Sequence, residues 1–492
     1  MDLINYFFSI FRYDAASPLI FNSGAFLVFF VILLLVYNFY YGNRLIRSLI
    51  MVAFSLFFYY KLSGVSFLII LLPLFSDYII AQKIYKSTSQ KKRRYWLVVS
   101  VTLNLLLLVL FKYLNFFGSI IAFLDGRAFS PFSIIMPIGI SYYIFRTISY
   151  VIDVYREDIK PETDLLEFAF YITFFPLLTA GPITRASDFL PQLQKKPVID
   201  SERIYSGLYM IMQGLVKKAV IADYLAQYNN LVFDTPGTYS GFETLMAVYG
   251  YTAQIYFDFS GYTDMAIGIA GMLGFNIGMN FDKPYHALNL TDFWRRWHIS
   301  LSSWLRDYLF SPMSLKFRSA GALGIVSALV FTFVICGFWH GPNYTFILWG
   351  ALNGMIMGFE MINAKWRKRI KKKIPSRVYN SVSWCITFNI IALLWIVFRS
   401  ADLNSAWLMV ERIFTDFDLA YLLPFVRVRS LFVIILVAGF ALYALPVEKI
   451  SMISKYFIAI PYWVKAVAFI ALVQLIFQLQ GTDVQQFLYA GF

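Results

Sequence analysis

The sequence predicts an all-α polytopic membrane protein, and three observations predict it. Of 492 residues, 59% are hydrophobic and 14% charged, against about 45–50% and about 25% in soluble domains. A soluble chain of that composition would expose apolar patches well beyond what solubility tolerates. The apolar residues also gather into runs near the ~20 residues a helix needs to cross ~30 Å of hydrocarbon. Finally, the net charge of +14 sits in two places: Lys83, Lys86, Lys91, Lys92, Arg93 and Arg94 form one stretch without an acid, and residues 365–377 hold eight cations and no acid. Together they account for the whole excess, so the positive-inside rule places both loops in the cytoplasm against anionic headgroups, with an even number of crossings between them. Nucleic-acid binding, the other use of basic runs, is disfavoured because hydrophobic spans flank both.

Taken in order, the uncharged run 15–43 is too long for a signal-peptide core and lacks a small-residue cleavage pattern, so it reads as an uncleaved first span near 18–40. Further spans are expected near 95–111, 132–152, 168–184, 244–274 (broken), 319–340, 342–359, 379–398, 430–446 and 456–478. The pieces 48–60 and 62–76, separated by Lys61, and 113–124, between Lys112 and Asp125, are short for spans. Tilted, half-inserted or re-entrant helices suit them, and backbone that is not helical at depth needs protein or a water-filled cavity around it. Between Arg185 and Arg318 charged residues interleave with aromatics, which favours horizontal or buried helices. The functional core is therefore expected here and on through Gly358, in a division with 1–160 as an N-terminal wall, 161–400 as a core and 401–492 as C-terminal helices. Neither an internal repeat nor a low-complexity tract is present.

Chemistry points to histidine. His340 lies in a stretch with no formal charge from Ala320 to Gly358, and His298 lies 42 positions upstream in an aromatic and arginine-rich segment. A polar ring at membrane depth is costly and marks a candidate site. Residues 291–309 read as one amphipathic helix capped by Thr291, with Trp294, Trp297, Leu301, Trp304, Leu305 and Tyr308 on one face and Arg295, Arg296, Ser303, Arg306 and Asp307 on the other. A packing histidine on an interfacial helix is the alternative reading of His298. A buried neutral imidazole can take the proton of a hydroxyl as that hydroxyl attacks an activated carbonyl, which describes acyl transfer from a thioester. An indole N–H or an arginine can stabilise the oxyanion. Cys336, one turn before His340, allows a nucleophile–base dyad, although a small buried hydrophobe is the commoner role for such a cysteine. Cys336 and Cys385 both lie in apolar runs, which argues against a disulfide framework. His286, His298 and His340 are the only histidines, and neither H-E-x-x-H nor C-x-x-C spacing occurs, so no metal is expected. The candidate substrate-contacting residues are Arg296, Trp297, Trp339, Tyr256, Asp258, Ser260, Asp264 and Arg185. Asp258 and Asp264 are six apart, about 240° around a helix, and do not form a carboxylate pair.

Several segments carry a family resemblance: 179–185 (Thr-Ala-Gly-Pro-Ile-Thr-Arg), 214–223 around Lys217-Lys218, 256–268, 292–308, 337–341 with Leu348-Trp349-Gly350, and Val397-Phe398-Arg399. On these the chain resembles the membrane-bound O-acyltransferases, and within them looks like the alginate O-acetyltransferase type, with the teichoic-acid D-alanyl transferases as cousins. The resemblance implies a ring of about 10 to 13 transmembrane and re-entrant helices around a central tunnel, with His340 as the essential histidine and His298 as its polar partner. It also implies a cytoplasmic thioester donor, acetyl-coenzyme A or an acyl carrier protein, with no permanently bound cofactor. An extracytoplasmic hydrolase-like partner completing transfer to a polysaccharide, and a multi-pass place in a bacterial inner membrane, follow from the same likeness. The residues after His340, Pro342-Asn343-Tyr344, depart from the small-residue stretch common there and leave the acceptor open. A glycan-precursor transporter or flippase, with Asp258, Asp264, Arg185 and the histidines lining a path, is the rival reading, and a scaffold for glycan export is a weaker one.

Overall fold

The computed structural model describes residues 11–15 and 17–479. Among them the chain is helices and connections without a strand. Among the described residues six helices are long and apolar enough to cross a membrane: Arg44–Lys86, Gln90–Leu124, Arg318–His340, Tyr344–Ile362, Ser376–Arg399 and Tyr462–Leu479. Leu419–Val428 and Ser430–Ala444, bent by 97°, make a seventh if they count as one span, and Gly24–Tyr40 is a shorter apolar helix.

This is fewer spans than the apolar runs suggested, for physical reasons. The run 168–184 is α-helical only over Leu165–Thr173, because the tight 3-10 turn that carries Pro176 and the turn and bend residues after it end the helix. The run 132–152 starts without regular structure and becomes the helix Ile140–Arg156, which is buried along nearly all its length. The expected break in 244–274 is absent: Gly241–Met272 is one helix of 32 residues. Two short pieces join into longer elements. Lys61 is buried and donates to the carbonyl of Arg12, so Arg44–Lys86 passes through it, with a 3-10 stretch at Gly64–Ile70. A π turn at Val109–Tyr113 carries Gln90–Leu108 into Leu114–Leu124.

Two compact units emerge, and they do not follow the three-part division expected from sequence. Among the described residues the first holds those up to 211 together with 262–278, and the second holds 212–261 and 279–479. The second therefore takes most of the expected C-terminal part in with the core; the last residues of that part, 480–492, lie outside the described ones. In the first unit a polar cluster ties three helices where hydrocarbon offers no partner. Asp77 accepts from Ser100 Oγ at 2.6 Å and from Asn104 Nδ2 at 2.7 Å, and Thr147 donates to Asn104 Oδ1 at 3.0 Å. Arg185, the residue before the helix Ala186–Leu193, and Asp264 belong to this unit.

The second unit is built on the helical hairpin Gly321–His340 and Tyr344–Ile362. Its turn is closed by Asn343, whose Oδ1 accepts from the Thr345 N–H at 3.1 Å and whose Nδ2 donates to the Ala401 carbonyl at 2.8 Å. Glycines let the two backbones touch. A Cβ on Gly337 would lie 2.1 Å from the Phe346 carbonyl oxygen, and one on Gly350 would lie 2.1 Å from that of Phe333. Backbone cannot rotate away as a side chain can. Gly350→Ala is therefore expected to cost about 1–3 kcal/mol by overpacking and to displace the adjoining Trp349. Gly271→Ala, whose Cβ meets nothing within 4 Å, should be neutral or slightly stabilising. Thermal unfolding of the two purified variants in detergent checks the contrast.

Candidate active site

The segment that carries His298 begins at Asn289, whose Oδ1 accepts from the Asp292 N–H at 2.8 Å and starts the helix Leu290–Arg296. The single helix expected over 291–309 does not form, and its cap is Asn289 rather than Thr291. Trp297 is extended, His298 adopts the left-handed region at φ 44° and ψ 55°, and a second helix runs over Ile299–Leu305 into a π turn at Arg306–Phe310. A non-glycine residue in that region costs about 1–2 kcal/mol and persists only where its surroundings hold it. Asn280 holds it: its carbonyl accepts from the Ile299 N–H at 2.9 Å, and its Oδ1 accepts from the Ser300 N–H at 3.1 Å and from Ser300 Oγ at 2.9 Å.

That arrangement decides the His298 tautomer. Because a backbone N–H points at Asn280 Oδ1, the atom there must be the amide oxygen. His298 Nδ1, 3.1 Å from the same oxygen, must then donate, which makes Nε2 the basic nitrogen of the ring. His298 is fully buried, and burial pushes its imidazole down to about 3, so the ring is neutral. The predicted apolar face survives the break, since Trp294, Trp297, Leu301, Trp304 and Leu305 are all buried. The segment is therefore core, not an interfacial anchor.

His340 ends its helix and is 1% exposed. Around it stand Trp339 at 5.0 Å between ring centroids, Phe398 at 5.1 Å, Trp349 at 5.3 Å and Phe346 at 6.3 Å. The Trp339 indole also lies 6.2 Å from His298. One ring thus neighbours both imidazoles. Trp297 packs on Trp395 at 5.2 Å, and Trp395 stacks on Trp349 at 5.9 Å, so an aromatic layer links the two histidine segments. On the other side of His298, Phe259 stands edge-on at 4.8 Å.

The remaining candidates divide. Tyr256 is buried against Tyr443 at 4.9 Å, Tyr285 at 5.7 Å and Trp297 at 6.4 Å. Ser260 is buried, and its Oγ has no partner among the described residues. Arg296 is half-exposed and paired with Asp292 at 3.0 Å and with Asp282 at 3.6 Å, which suits bracing the segment. His286 packs on Tyr443 at 5.1 Å. Asp258 binds Lys218 Nζ at 2.6 Å, and Asp223 shares the same ammonium at 2.8 Å. Sequence reasoning missed this trio, and also Asn280. The available signal for the first was Lys218 and Asp223 five apart in an otherwise apolar run; the π turn Val216–Ala222, with its wider i to i+5 repeat, brings them together.

Residues 155–399 match the membrane-bound O-acyltransferase family, and both histidines lie inside that stretch. Over 403 residues the chain is 36% identical to the probable alginate O-acetylase AlgI of Pseudomonas aeruginosa, covering 81% of this chain and 75% of that one. The chain belongs to the membrane-bound O-acyltransferase family. It is a membrane-embedded O-acyltransferase, all-α and polytopic. It is also 34% identical over 394 residues to the peptidoglycan O-acetyltransferase of Helicobacter pylori, covering 75% of this chain and 73% of that one. A more distant relative is the teichoic acid D-alanyltransferase of Bacillus subtilis, 30% identical over 277 residues, covering 54% of this chain and 70% of that one.

Within this acyltransferase Cys336 is fully buried one turn before His340. That is a packing position, and the thiol is expected to be dispensable. Cys336→Ser should keep turnover within about three-fold of wild type, the range left by a modest packing change. A loss near 10³-fold in single-turnover transfer would instead mark a covalent acyl-enzyme.

Proposed function

We propose that this acyltransferase moves an acetyl group from a cytoplasmic thioester to a hydroxyl on the far side of a bacterial inner membrane. The acceptor is an extracytoplasmic polysaccharide or a serine of a hydrolase-like partner that passes the group on. His340 takes the proton of the attacking hydroxyl as its oxygen bonds to the thioester carbonyl carbon. When the tetrahedral intermediate collapses, the C–S bond breaks and the imidazolium returns the proton to the departing thiolate. His298, neutral and held by Asn280, orients the reacting groups. The single observation that carries this reading is the shared neighbour: two buried imidazoles both abut the Trp339 indole. Their aromatic surroundings keep water away from a thioester that it would hydrolyse.

The acetyl group and the glycan acceptor are supported by the names of the relatives, which acetylate alginate or peptidoglycan. D-alanyl transfer is the second reading, supported by the more distant teichoic acid enzyme. The donor is expected beside the two basic loops, where cations attract an acidic carrier protein or the phosphates of coenzyme A. Isotope-labelled acetyl-coenzyme A supplied to membranes, with mass analysis of the glycan and measurement of free thiol, tests the proposal. Labelled O-acetyl groups with equal thiol release support it. Glycan movement without thiol release would favour a transporter, and labelling only from a D-alanyl thioester would favour the second reading.

A further inference from the structure

We infer that the second unit holds a site for one anionic phospholipid, distinct from the histidine site. A cavity of about 420 Å³ lies between the helices Leu290–Arg296 and Ile299–Leu305 and the hairpin, within the ~300–1,000 Å³ range of ligand sites. Leu329, Phe333, Met357 and Met361 supply an apolar interior, and Arg295 and Arg306 line it too. Both arginines are exposed. Among the described residues Arg306 pairs with its sequence neighbour Asp307 alone, and Arg295 has no ion pair.

The wall chemistry selects the occupant. Each hydroxyl and indole lining the cavity already donates to a protein acceptor: Ser302 to the Trp297 carbonyl at 3.1 Å, Ser303 to that of Ser300 at 3.0 Å, and Thr332 to that of Ala328 at 2.7 Å. Thr291 donates to Glu360 at 3.2 Å and Trp294 to Asn353 at 3.0 Å. The interior therefore offers no side-chain donor to amide carbonyls such as those of a pantetheine arm, and burying them there unpaired is costly. A hydrocarbon chain carries no such cost. Two exposed guanidiniums beside an apolar cavity suit a phosphodiester, whose oxygens they grip. Met357 and Met361 lie in the last turns of Tyr344–Ile362, and the basic helix Ala364–Lys373 follows directly, so the cavity lies toward the side where anionic lipid collects. The bound chain would brace Trp294, which stands 4.9 Å from Phe333 and 5.7 Å from Trp349, itself beside His340.

The test uses the full chain, purified in non-ionic detergent and stripped of lipid. Phosphatidylglycerol is expected to raise its unfolding midpoint by about 4 °C or more; phosphatidylcholine should give at most half of that, and inorganic phosphate nothing. Arg295→Gln with Arg306→Gln should remove the advantage of phosphatidylglycerol, and Met357→Trp, which fills the cavity, should remove the response to both lipids. Native mass spectrometry should find one phosphatidylglycerol retained by wild type and lost from the arginine pair, a readout that survives should Met357→Trp misfold. Equal protection by both lipids overturns the inference. So does protection by acetyl-coenzyme A that Met357→Trp abolishes, since the cavity would then belong to the donor.

Discussion

Replacing either buried imidazole is expected to lower acyl transfer by about 10²–10⁴-fold, the usual worth of a general base or its orienting partner. His340→Gln keeps a polar side chain of similar size among Trp339, Trp349 and Phe398 but no longer accepts a proton. His298 needs more care, because it occupies the left-handed region at φ 44°. His298→Asn is the informative change: asparagine tolerates that backbone, so the loss reports the ring and not a broken turn. Asn280→Ala removes the acceptor that fixes the His298 tautomer. If His298 positions the reacting groups, this variant should lower kcat while leaving KM for the thioester within about two-fold. The pH profile separates the roles further. With burial holding His298 down to about 3, its neutral form persists as pH falls through 6.5, and an acid limb near that value belongs to another group. Label transfer in membranes of matched protein content reads all three variants, and unchanged glycan acylation in His340→Gln would remove the histidine from the mechanism.

How far the chain could be read without coordinates follows from the range of the forces involved. His340 stood out because an imidazole inside a charge-free run conflicts with its own surroundings, and that conflict is local. The buried face of 291–309 was also legible, since periodicity outlives a break in the helix. The break itself was not, because it depends on Asn280, 18 residues away in sequence, gripping Ile299 and Ser300. The continuity of Gly241–Met272 was hidden for a similar reason: Asp258 looks like an interruption until Lys218, 40 residues earlier, meets it. Apolarity alone also overcounted the spans. Residues 168–184 are buried throughout, yet Pro176 and the turn and bend residues after it make them core packing and not a crossing. Sequence shows that a residue wants to leave water, but not whether lipid or protein receives it.

Lys218→Met should be the most damaging single change for stability, at about 3–5 kcal/mol. The Lys218 side chain is 1% exposed and serves two carboxylates, Asp258 at 2% and Asp223 at 12%. Burial opposes its charge, but the two acids outweigh that and raise its pKa, so the ammonium is the group that permits both carboxylates to be there. Removing it leaves them mutually repelling and desolvated. Burial raises Asp223 to about 6 despite Lys218 opposing the shift. A carboxyl whose folded pKa exceeds its unfolded value binds a proton more readily when folded, so its contribution worsens as pH rises from about 4 to about 6. Asp223→Asn is therefore expected to be neutral or stabilising at pH 7.5, with any gain shrinking as the buffer is taken below 6. Lys218→Met with Asp258→Asn should recover part of the loss of the single variant, because only one buried acid then lacks its cation. Fluorescence-detected size exclusion after heating, at pH 5.5 and 7.5, measures each of these. A Lys218→Met protein as stable as wild type would mean that water or another cation reaches the two acids, and that the trio does not hold the middle of the long helix in place.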